Sequence, residues 1–323
     1  MISAAPVMPA LSTLTHKGMD IRYGIWGKAL YSAAERPNKP ILVVLPGLSE
    51  FIEKYALIML PLLEQDVDAL IIDWPSQGMS GRLLAERLPV HIGNFNDYLD
   101  ALEAVLNATG ILRGRPVILF GHSMGGHLAL RALKHIPDLD IKGIVLSAPM
   151  MQLALSPSWF IRPALQVLMM LGFAKKPVSA KHNRPDGNTF YDDNPLTTDA
   201  DGYAVMPQLW QRYPMAKTYE PTYGWVKAAY QSCARTTAST SWLHHLSCPM
   251  QAHIPADERI VDGKIQKWAV DQIPQCESHI YPAARHELML ERPEIRQLFW
   301  HNVMQFLKRL DALPDTCSDI VLE

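Results

Sequence analysis

The sequence predicts an α/β protein whose mostly parallel, doubly wound sheet carries helices on both faces. Short, continuously apolar segments alternate with segments whose apolar residues recur at helical spacing, and this alternation is typical of βαβ units. The alternation stops over residues 151–246, which are rich in Met, Trp, Tyr and Pro, and then resumes. We therefore expect a core of residues 1–150 and 247–323, with residues 151–246 inserted after a central strand as a helical cap above the sheet.

The elements of this core follow in order along the chain. Ile21, Tyr23 and Ile25 alternate with polar or small residues, as in an antiparallel strand. The apolar runs at residues 41–45 and 69–72 are typical of strands buried on both faces. Further strands are expected at residues 117–120, 144–146, 250–254 and 276–281. Helices are expected at residues 55–63, 95–106, 128–133 and 295–310.

The composition excludes several classes of protein. The chain has 323 residues, of which 48% are hydrophobic and 19% charged, so it can bury a large core. A net charge of −2 gives no indication of a nucleic-acid partner. Cys233, Cys248, Cys276 and Cys317 are scattered without metal-ligand spacing, as reduced thiols are. With no signal-peptide pattern and no span of about 20 apolar residues, we expect a cytoplasmic protein.

The most informative segment is Gly-His-Ser-Met-Gly at residues 121–125, between a predicted strand and a predicted helix. A strand, a Gly-x-Ser-x-Gly turn and a helix together form a nucleophile elbow, in which the serine has strained backbone angles. Gly121 and Gly125 lack the Cβ atoms that would collide in so tight a turn. Ser123 is therefore the predicted nucleophile. The alternative is an ordinary strand-to-helix turn.

A serine hydroxyl needs a base, and the base needs an acid to orient it. In this architecture the acid and then the histidine follow the serine along the chain. His286, after the last predicted strand, is the expected base, and its alternative is a capping or surface histidine. Asp257 and Glu258 are adjacent carboxylates after the strand at residues 250–254. We prefer Glu258 because of its place directly before Arg-Ile-Val, although either carboxylate could reach an imidazole.

Donors for the oxyanion are expected from two backbone amides. Met124 begins the helix after the nucleophile, and Leu48 lies in the Pro-Gly-Leu-Ser-Glu loop after the strand at residues 41–45. Gly47 allows the backbone of this loop to approach closely. The elbow directs His122 and His127 away from the Ser123 hydroxyl. We assign the other histidines to surface or structural roles because they show no metal-ligand pattern.

Together these motifs resemble those of the α/β-hydrolase superfamily, in particular its monoacylglycerol lipase and lysophospholipase L2 group of serine hydrolases. Residues 45–50 with Lys54-Tyr55 resemble the group's His-Gly-x-x-Glu oxyanion loop and its basic-Tyr pair. Residues 73–82 resemble its Asp-His-Arg-Gly-Gln-Gly-x-Ser-Gly-Arg loop. The resemblance implies the α/β-hydrolase fold, with Ser123 as nucleophile, Glu258 at the acid position and His286 as base.

The resemblance extends from about residue 20 to residue 310, is weakest in the cap and has three departures. Pro46 replaces a histidine, Trp-Pro-Ser at residues 74–76 replaces His-Arg-Gly, and Glu258 stands where most members have aspartate. None of these changes removes a member of the triad. Because of these changes, the substrate of this chain does not follow from analogy with the group alone.

We expect a serine hydrolase that cleaves carboxylic esters of monoacyl lipids, either lysophospholipids or monoacylglycerols, through an acyl-enzyme. This chemistry requires no metal and no organic cofactor. One alternative is a capped peptidase of the proline iminopeptidase type, which would need an acidic cap group to bind a substrate α-amine. The other is a non-catalytic α/β-hydrolase-like protein that only binds a ligand or partner.

The start of the cap has two interpretations. Residues 156–173 are apolar but interrupted by Arg162 and Pro163, and Lys175, Lys176, Lys181 and Arg184 follow. This surface would either pack onto the core with its basic residues solvated, or make peripheral contact with the inner membrane face. We prefer packing, with part of the apolar surface forming an acyl pocket.

Overall fold

A computed structural model describes residues 6–27, 39–65, 67–154, 158–178, 189–237 and 239–313. In these residues one eight-stranded sheet has the order β1-β2-β4-β3-β5-β6-β7-β8. The strands are β1 Ala10–His16, β2 Met19–Trp26, β3 Ile41–Leu45, β4 Ala69–Ile72, β5 Val117–His122, β6 Ile141–Ser147, β7 Met250–Pro255 and β8 Cys276–Tyr281. β2 pairs antiparallel with β1 and β4, and the remaining pairs are parallel. This confirms the predicted fold class.

The helices connect the strands and form the segment between β6 and β7. Those of the core are α1 Ile52–Ile58, α2 Leu60–Leu63, α3 Asn96–Ala108, α4 Met124–His135, α9 Gly263–Asp271 and α10 Pro293–Arg309. Between β6 and β7 lie α5 Ser158–Met170, α6 Ala200–Arg212, α7 Tyr223–Thr237 and α8 Thr240–His244. This is where the sequence predicts the cap. Its boundaries at residues 151 and 246 stay predictions.

Two predictions about individual elements were incomplete. The helix expected at residues 55–63 is divided into α1 and α2, which meet at Met59. Pro61 in α2 has no N–H to donate to the preceding turn, so a continuous helix would lose a hydrogen bond there. β1 was not predicted because four of its seven residues are exposed in succession, which removes the alternation that marks a strand.

The central strands separate two layers of the core. Ile41, Val43 and Leu45 of β3 pack into the layer that contains α3 and α4. Leu42 and Val44 face the opposite layer, which contains α1 and α10. Burial on both faces explains why the central strands are continuous apolar runs. Among the described residues, no helix is long and apolar enough to cross a bilayer.

Candidate active site

Ser123 lies at the junction between β5 and α4, with φ 52° and ψ −116°. A Cβ at Gly121 would lie 2.5 Å from the carbonyl oxygen of Gly125, and one at Gly125 only 1.8 Å from the carbonyl oxygen of Leu45. Only glycine fits at these two positions. The turn therefore holds Ser123 in a strained conformation that the surrounding packing imposes.

His286 and Glu258 meet above the ends of β7 and β8. The Nδ1 atom of His286 lies 2.8 Å from Oε2 and 3.0 Å from Oε1 of Glu258. The amides of Ile260 and Val261 also donate to Oε1 of Glu258, at 2.8 and 3.2 Å. The Glu258 carboxylate is thus fixed from two directions, with its side chain only 2% exposed.

Asp257, the alternative acid, is bound elsewhere. It accepts hydrogen bonds from the guanidinium groups of Arg259 and Arg285. Its side chain is 38% exposed. Of the two adjacent carboxylates, the structure brings only Glu258 to His286.

Burial and charge act in opposite directions on this pair. Burial lowers the pKa of His286, but the charge and hydrogen bond of Glu258, together with the charges of Glu287 and Glu50, outweigh burial and raise that pKa above its ordinary value. Burial raises the pKa of Glu258, while His286 and the two amide donors bring that pKa below its usual range. The site therefore favours a carboxylate beside an imidazole that gains a proton readily.

Ser123 and His286 line one cavity of about 280 Å³. Its core wall also includes Leu48, Ile260 and the residues Gly47, Ser49, Glu50, Lys54, His122 and Glu287. The opposite wall comes from the segment between β6 and β7. Those residues are Tyr191, Pro195, Leu196, Tyr203, Met206, Pro207, Trp210, Thr218, Tyr219 and Pro221. Two larger depressions, of about 630 and 940 Å³, do not include Ser123.

The loop after β3 directs its amides to different partners. The amide of Gly47 donates to Glu50, and that of Ser49 donates to Gln77. Within the described residues, the Leu48 amide donates to no protein acceptor. Nor does the Met124 amide donate to a protein acceptor in the described part of the chain, as is usual for one of the first N–H groups of a helix. Both amides are therefore available to a bound oxygen.

An ion-pair cluster, which the sequence reasoning missed, lies beneath this loop. The Lys54 side chain is fully buried, and its Nζ donates to Glu50 and, at 2.8 Å, to Glu287. The Tyr55 hydroxyl donates to Glu50 at 2.7 Å. The cluster connects the oxyanion loop to the residue that follows His286. The basic-Tyr pair of the resemblance was its only signal in the sequence.

The buried side chain of His122 also belongs to this cluster. Its ring centroid lies 5.0 Å from that of His286, and burial lowers its pKa. The donor atoms of Glu50, His122 and Glu287 lie within 4.8 Å of one another, a spacing that would suit a metal ion. The Lys54 ammonium already lies within pairing distance of both carboxylates and donates to each, so these residues fit an ion-pair cluster better than a metal site.

Two of the residues that depart from the family pattern contact each other. The indole Nε1 of Trp74 donates to the carbonyl oxygen of Pro46 at 2.8 Å, and Trp74 is completely buried. Trp74 and Pro46 each stand where the family pattern has a histidine. The Trp74 side chain thus holds the backbone at Pro46 in place. This contact anchors the loop after β3 in addition to the hydrogen bonds from Gly47 to Glu50 and from Ser49 to Gln77.

Comparisons with known proteins agree with this architecture. Residues 36–293 match the profile of the family described as serine aminopeptidase, S33. The chain is 26% identical over 284 residues to lysophospholipase L2 of Escherichia coli, covering 83% of this chain and 80% of that protein. It is 24% identical over 276 residues to a probable lysophospholipase L2 of Haemophilus influenzae, covering 84% and 85%.

Solved structures show the same fold. A soluble variant of monoglyceride lipase from Saccharomyces cerevisiae superposes with a TM-score of 0.70 at 18% identity, covering 96% of this chain and 97% of that chain. A monoacylglycerol lipase from Paleococcus ferrophilus gives a TM-score of 0.65 at 16% identity, covering 90% and 99%.

Proposed function

We propose, from the premise that this chain belongs to the serine aminopeptidase S33 family of α/β-hydrolases, that it cleaves carboxylic esters of monoacyl lipids through an acyl-enzyme. The observation that carries the proposal is the cavity shared by Ser123 and His286, with Glu258 bound to His286. A nucleophile on a strained turn, a base and an orienting carboxylate are the parts that acyl transfer requires.

In the proposed mechanism, His286 takes the proton from the Ser123 hydroxyl while the oxygen attacks the ester carbonyl. The Leu48 and Met124 amides donate to the resulting oxyanion, and each such donor supplies about 3 kcal/mol of transition-state stabilisation. His286 then gives its proton to the leaving alcohol. In deacylation His286 takes a proton from water while the water oxygen attacks the acyl carbonyl. The bond to Ser123 Oγ then breaks, His286 returns its proton to this oxygen, and the fatty acid leaves.

The cavity lining supports an acyl substrate. Leu48, Leu196, Met206, Pro207 and Ile260 present apolar surface beside Ser123, and ligand sites of this kind are mostly apolar with a few polar groups. The names of the relatives, lysophospholipase L2 and monoglyceride lipase, point to the same substrate class. We therefore propose lysophospholipids or monoacylglycerols as the substrates.

The peptidase alternative is less well supported. Binding a substrate α-amine would need an uncompensated carboxylate in the cavity. Within the described lining, the carboxylates are Glu50 and Glu287, and both are ion-paired with Lys54. If the protein hydrolyses the amide bond after an N-terminal proline faster than it hydrolyses any ester, the peptidase is favoured instead.

The test of the ester hydrolase proposal combines labelling with turnover. We expect a fluorophosphonate probe to label Ser123 in the folded protein, and Ser123→Ala to abolish both labelling and hydrolysis. Rates across p-nitrophenyl esters of increasing acyl length, with lysophospholipids and monoacylglycerols, would identify the substrate. A folded protein that neither reacts with the probe nor hydrolyses any ester would instead be the non-catalytic binder.

The surface of the cap supports peripheral membrane contact. Val167, Met170, Leu171 and Phe173, at and after the end of α5, are exposed by 54, 79, 66 and 42%. These four side chains are not packed onto the core, which corrects our preferred interpretation for this part of the cap. Lys181 and Arg184 lie outside the described residues, as do residues 156 and 157. The exposed Lys175 and Lys176 nevertheless follow the apolar patch directly and would meet anionic headgroups.

Vesicle sedimentation tests this contact. We expect the protein to bind vesicles containing anionic lipid about tenfold better than the variant with Met170→Ser and Leu171→Ser. Leu298→Ser, which changes an equally apolar and half-exposed residue on α10, is the matched control. Equal binding by the cap variant and the control would contradict the proposal.

A further inference from the structure

Three buried polar atoms without a hydrogen-bond partner belong to residues that line the cavity of Ser123. Within the described residues, these atoms are Ser49 Oγ, Trp210 Nε1 and Thr218 Oγ1. Thr218 is completely buried. Buried hydrogen-bonding groups are nearly always paired in folded proteins, so three unpaired groups around one cavity need an explanation.

The chemistry of these groups restricts what would satisfy them. The indole N–H of Trp210 only donates, whereas the hydroxyls of Ser49 and Thr218 donate or accept. An acyl chain offers no acceptor. Water or a ligand rich in oxygen would pair all three groups, and a ligand oxygen that replaces an ordered water preserves the hydrogen bond.

Trp210 and Thr218 lie close to a positive charge. The ring of Trp210 lies 6.2 Å from that of Tyr219, the residue after Thr218. The Nζ atom of Lys217 lies 5.3 Å from the Trp210 ring centroid and 5.9 Å from that of Tyr219. This part of the wall therefore presents hydrogen-bonding groups and has a cation beside it, in contrast to the apolar surface of Met206 and Ile260.

We propose that Ser49, Trp210 and Thr218 form a subsite for the alcohol half of the ester, where they bind its hydroxyl or phosphate oxygens. This inference rests on the proposed ester hydrolase function. It assigns the two halves of the substrate to different parts of the cavity: the acyl chain to the apolar lining, and the oxygen-rich headgroup to the three unpaired groups. Selection for a glycerol-based headgroup then depends on these side chains.

The test compares Thr218→Val and Trp210→Phe, each of which removes a hydrogen-bonding group at nearly constant shape. The quantity to measure is kcat/KM for a headgroup-bearing ester divided by kcat/KM for the p-nitrophenyl ester of the same acyl chain. We expect this ratio to fall about fivefold in each variant, and about twentyfold if the oxygen belongs to a phosphate. An unchanged ratio in both variants would overturn the subsite.

Two controls match the substitutions. Thr236→Val changes a buried cap threonine whose hydroxyl already donates to the Ser232 carbonyl oxygen, and Trp242→Phe changes a tryptophan outside this cavity. Both should leave the ratio unchanged. Thr218→Val should also keep or raise Tm, because it removes an unpaired buried hydroxyl. A clear loss of Tm would mean that the hydroxyl has a protein partner, which contradicts the subsite.

The headgroup is identified by comparing a monoacylglycerol with a lysophosphatidic acid of the same chain length. If phosphate is bound, Lys217→Gln lowers the ratio for the phosphate ester alone, and Lys217→Arg restores it. If hydroxyls are bound, both substrates respond to Thr218→Val and neither responds to Lys217→Gln. A wild-type protein that hydrolyses no ester, the p-nitrophenyl ester included, refutes the proposed function itself. A loss of the subsite alone leaves that activity intact.

Discussion

The two walls of the active-site cavity differ in how their polar groups are paired. On the core wall, Glu258 holds His286 and Lys54 holds both Glu50 and Glu287. On the cap wall, Trp210 Nε1 and Thr218 Oγ1 have no protein partner within the described residues. The charged groups of the core wall are thus fixed by protein partners, whereas the groups that we assign to the alcohol, which include Ser49 Oγ at the edge of the core wall, have none among the described residues. Fixed geometry serves the reaction, and unpaired donors serve recognition.

The largest expected effect comes from replacing Glu258, the carboxylate that binds His286 on the core wall. Glu258→Gln should lower kcat by about 10³- to 10⁴-fold, because an amide neither orients His286 correctly nor stabilises the imidazolium. Asp257→Asn should change kcat by less than about threefold, since Asp257 is bound to arginines at the surface. Single-turnover acylation measures both. A collapse in Asp257→Asn alone would show that the other carboxylate is the acid.

The second prediction removes the buried cation. Lys54→Met leaves Glu50 and Glu287 buried without their partner, which should lower the free energy of unfolding by about 3–5 kcal/mol. Lys267→Met breaks an exposed pair with Asp271 and should cost less than about 1 kcal/mol. Urea unfolding compares the two variants. Equal losses would mean that the buried cluster contributes no more than a surface ion pair.

The third prediction concerns how hydrolysis depends on pH through the ionisation of His286. His286 must be neutral to take the Ser123 proton, and its pKa is raised, so activity should fall as pH decreases through a midpoint above 6.5. In Glu258→Gln the main raising influence is gone and burial remains, so the midpoint of the residual activity should move to lower pH. Profiles of kcat/KM against pH measure both midpoints. An unchanged midpoint would mean that Glu258 does not raise the pKa of His286.

The smallest effect concerns the anchor of the oxyanion loop. Trp74→Phe removes the hydrogen bond to the Pro46 carbonyl oxygen while Glu50 still holds Gly47. We expect kcat to fall about two- to fivefold, the effect of one lost neutral hydrogen bond. Trp268→Phe, at a half-exposed tryptophan on α9, serves as the control. A hundredfold fall in kcat would indicate that the conformation of the loop after β3 depends on Trp74 alone.

Much of the fold was predictable because periodicity reports burial directly. β8 has the predicted bounds of residues 276–281, and residues 41–45 form β3 as expected. Lys54 could not be placed from its own surroundings, because a lysine in a local sequence predicts a solvated side chain. Its burial depends on Glu287, which lies 233 residues further along the chain.

For the site as well, features set by local sequence could be predicted, and features set by distant contacts could not. The order of Ser123, a carboxylate and His286 is a property of the sequence. The choice between Asp257 and Glu258 depends on how the loops after β7 and β8 meet, with Pro255 opposite Tyr281 in the register. The unpaired groups at Trp210 and Thr218 have no sequence signature, since a lack of partners is visible only in three dimensions.

The ion pair between Lys54 and Glu287 also constrains the order of assembly during synthesis. The nascent chain emerges with the lysine early and its carboxylate partner more than two hundred residues later. Until Glu287 arrives, the buried ammonium can pair with Glu50 but lacks the second carboxylate to which it donates in the folded protein, and an unmade hydrogen bond of a buried charged group is unfavourable. The nucleophile elbow can form from neighbouring strands, while Lys54 still lacks its contact with Glu287. We expect the ribosome-bound chain to lack ester hydrolase activity until His286 and Glu287, which follow the last strand, have been made.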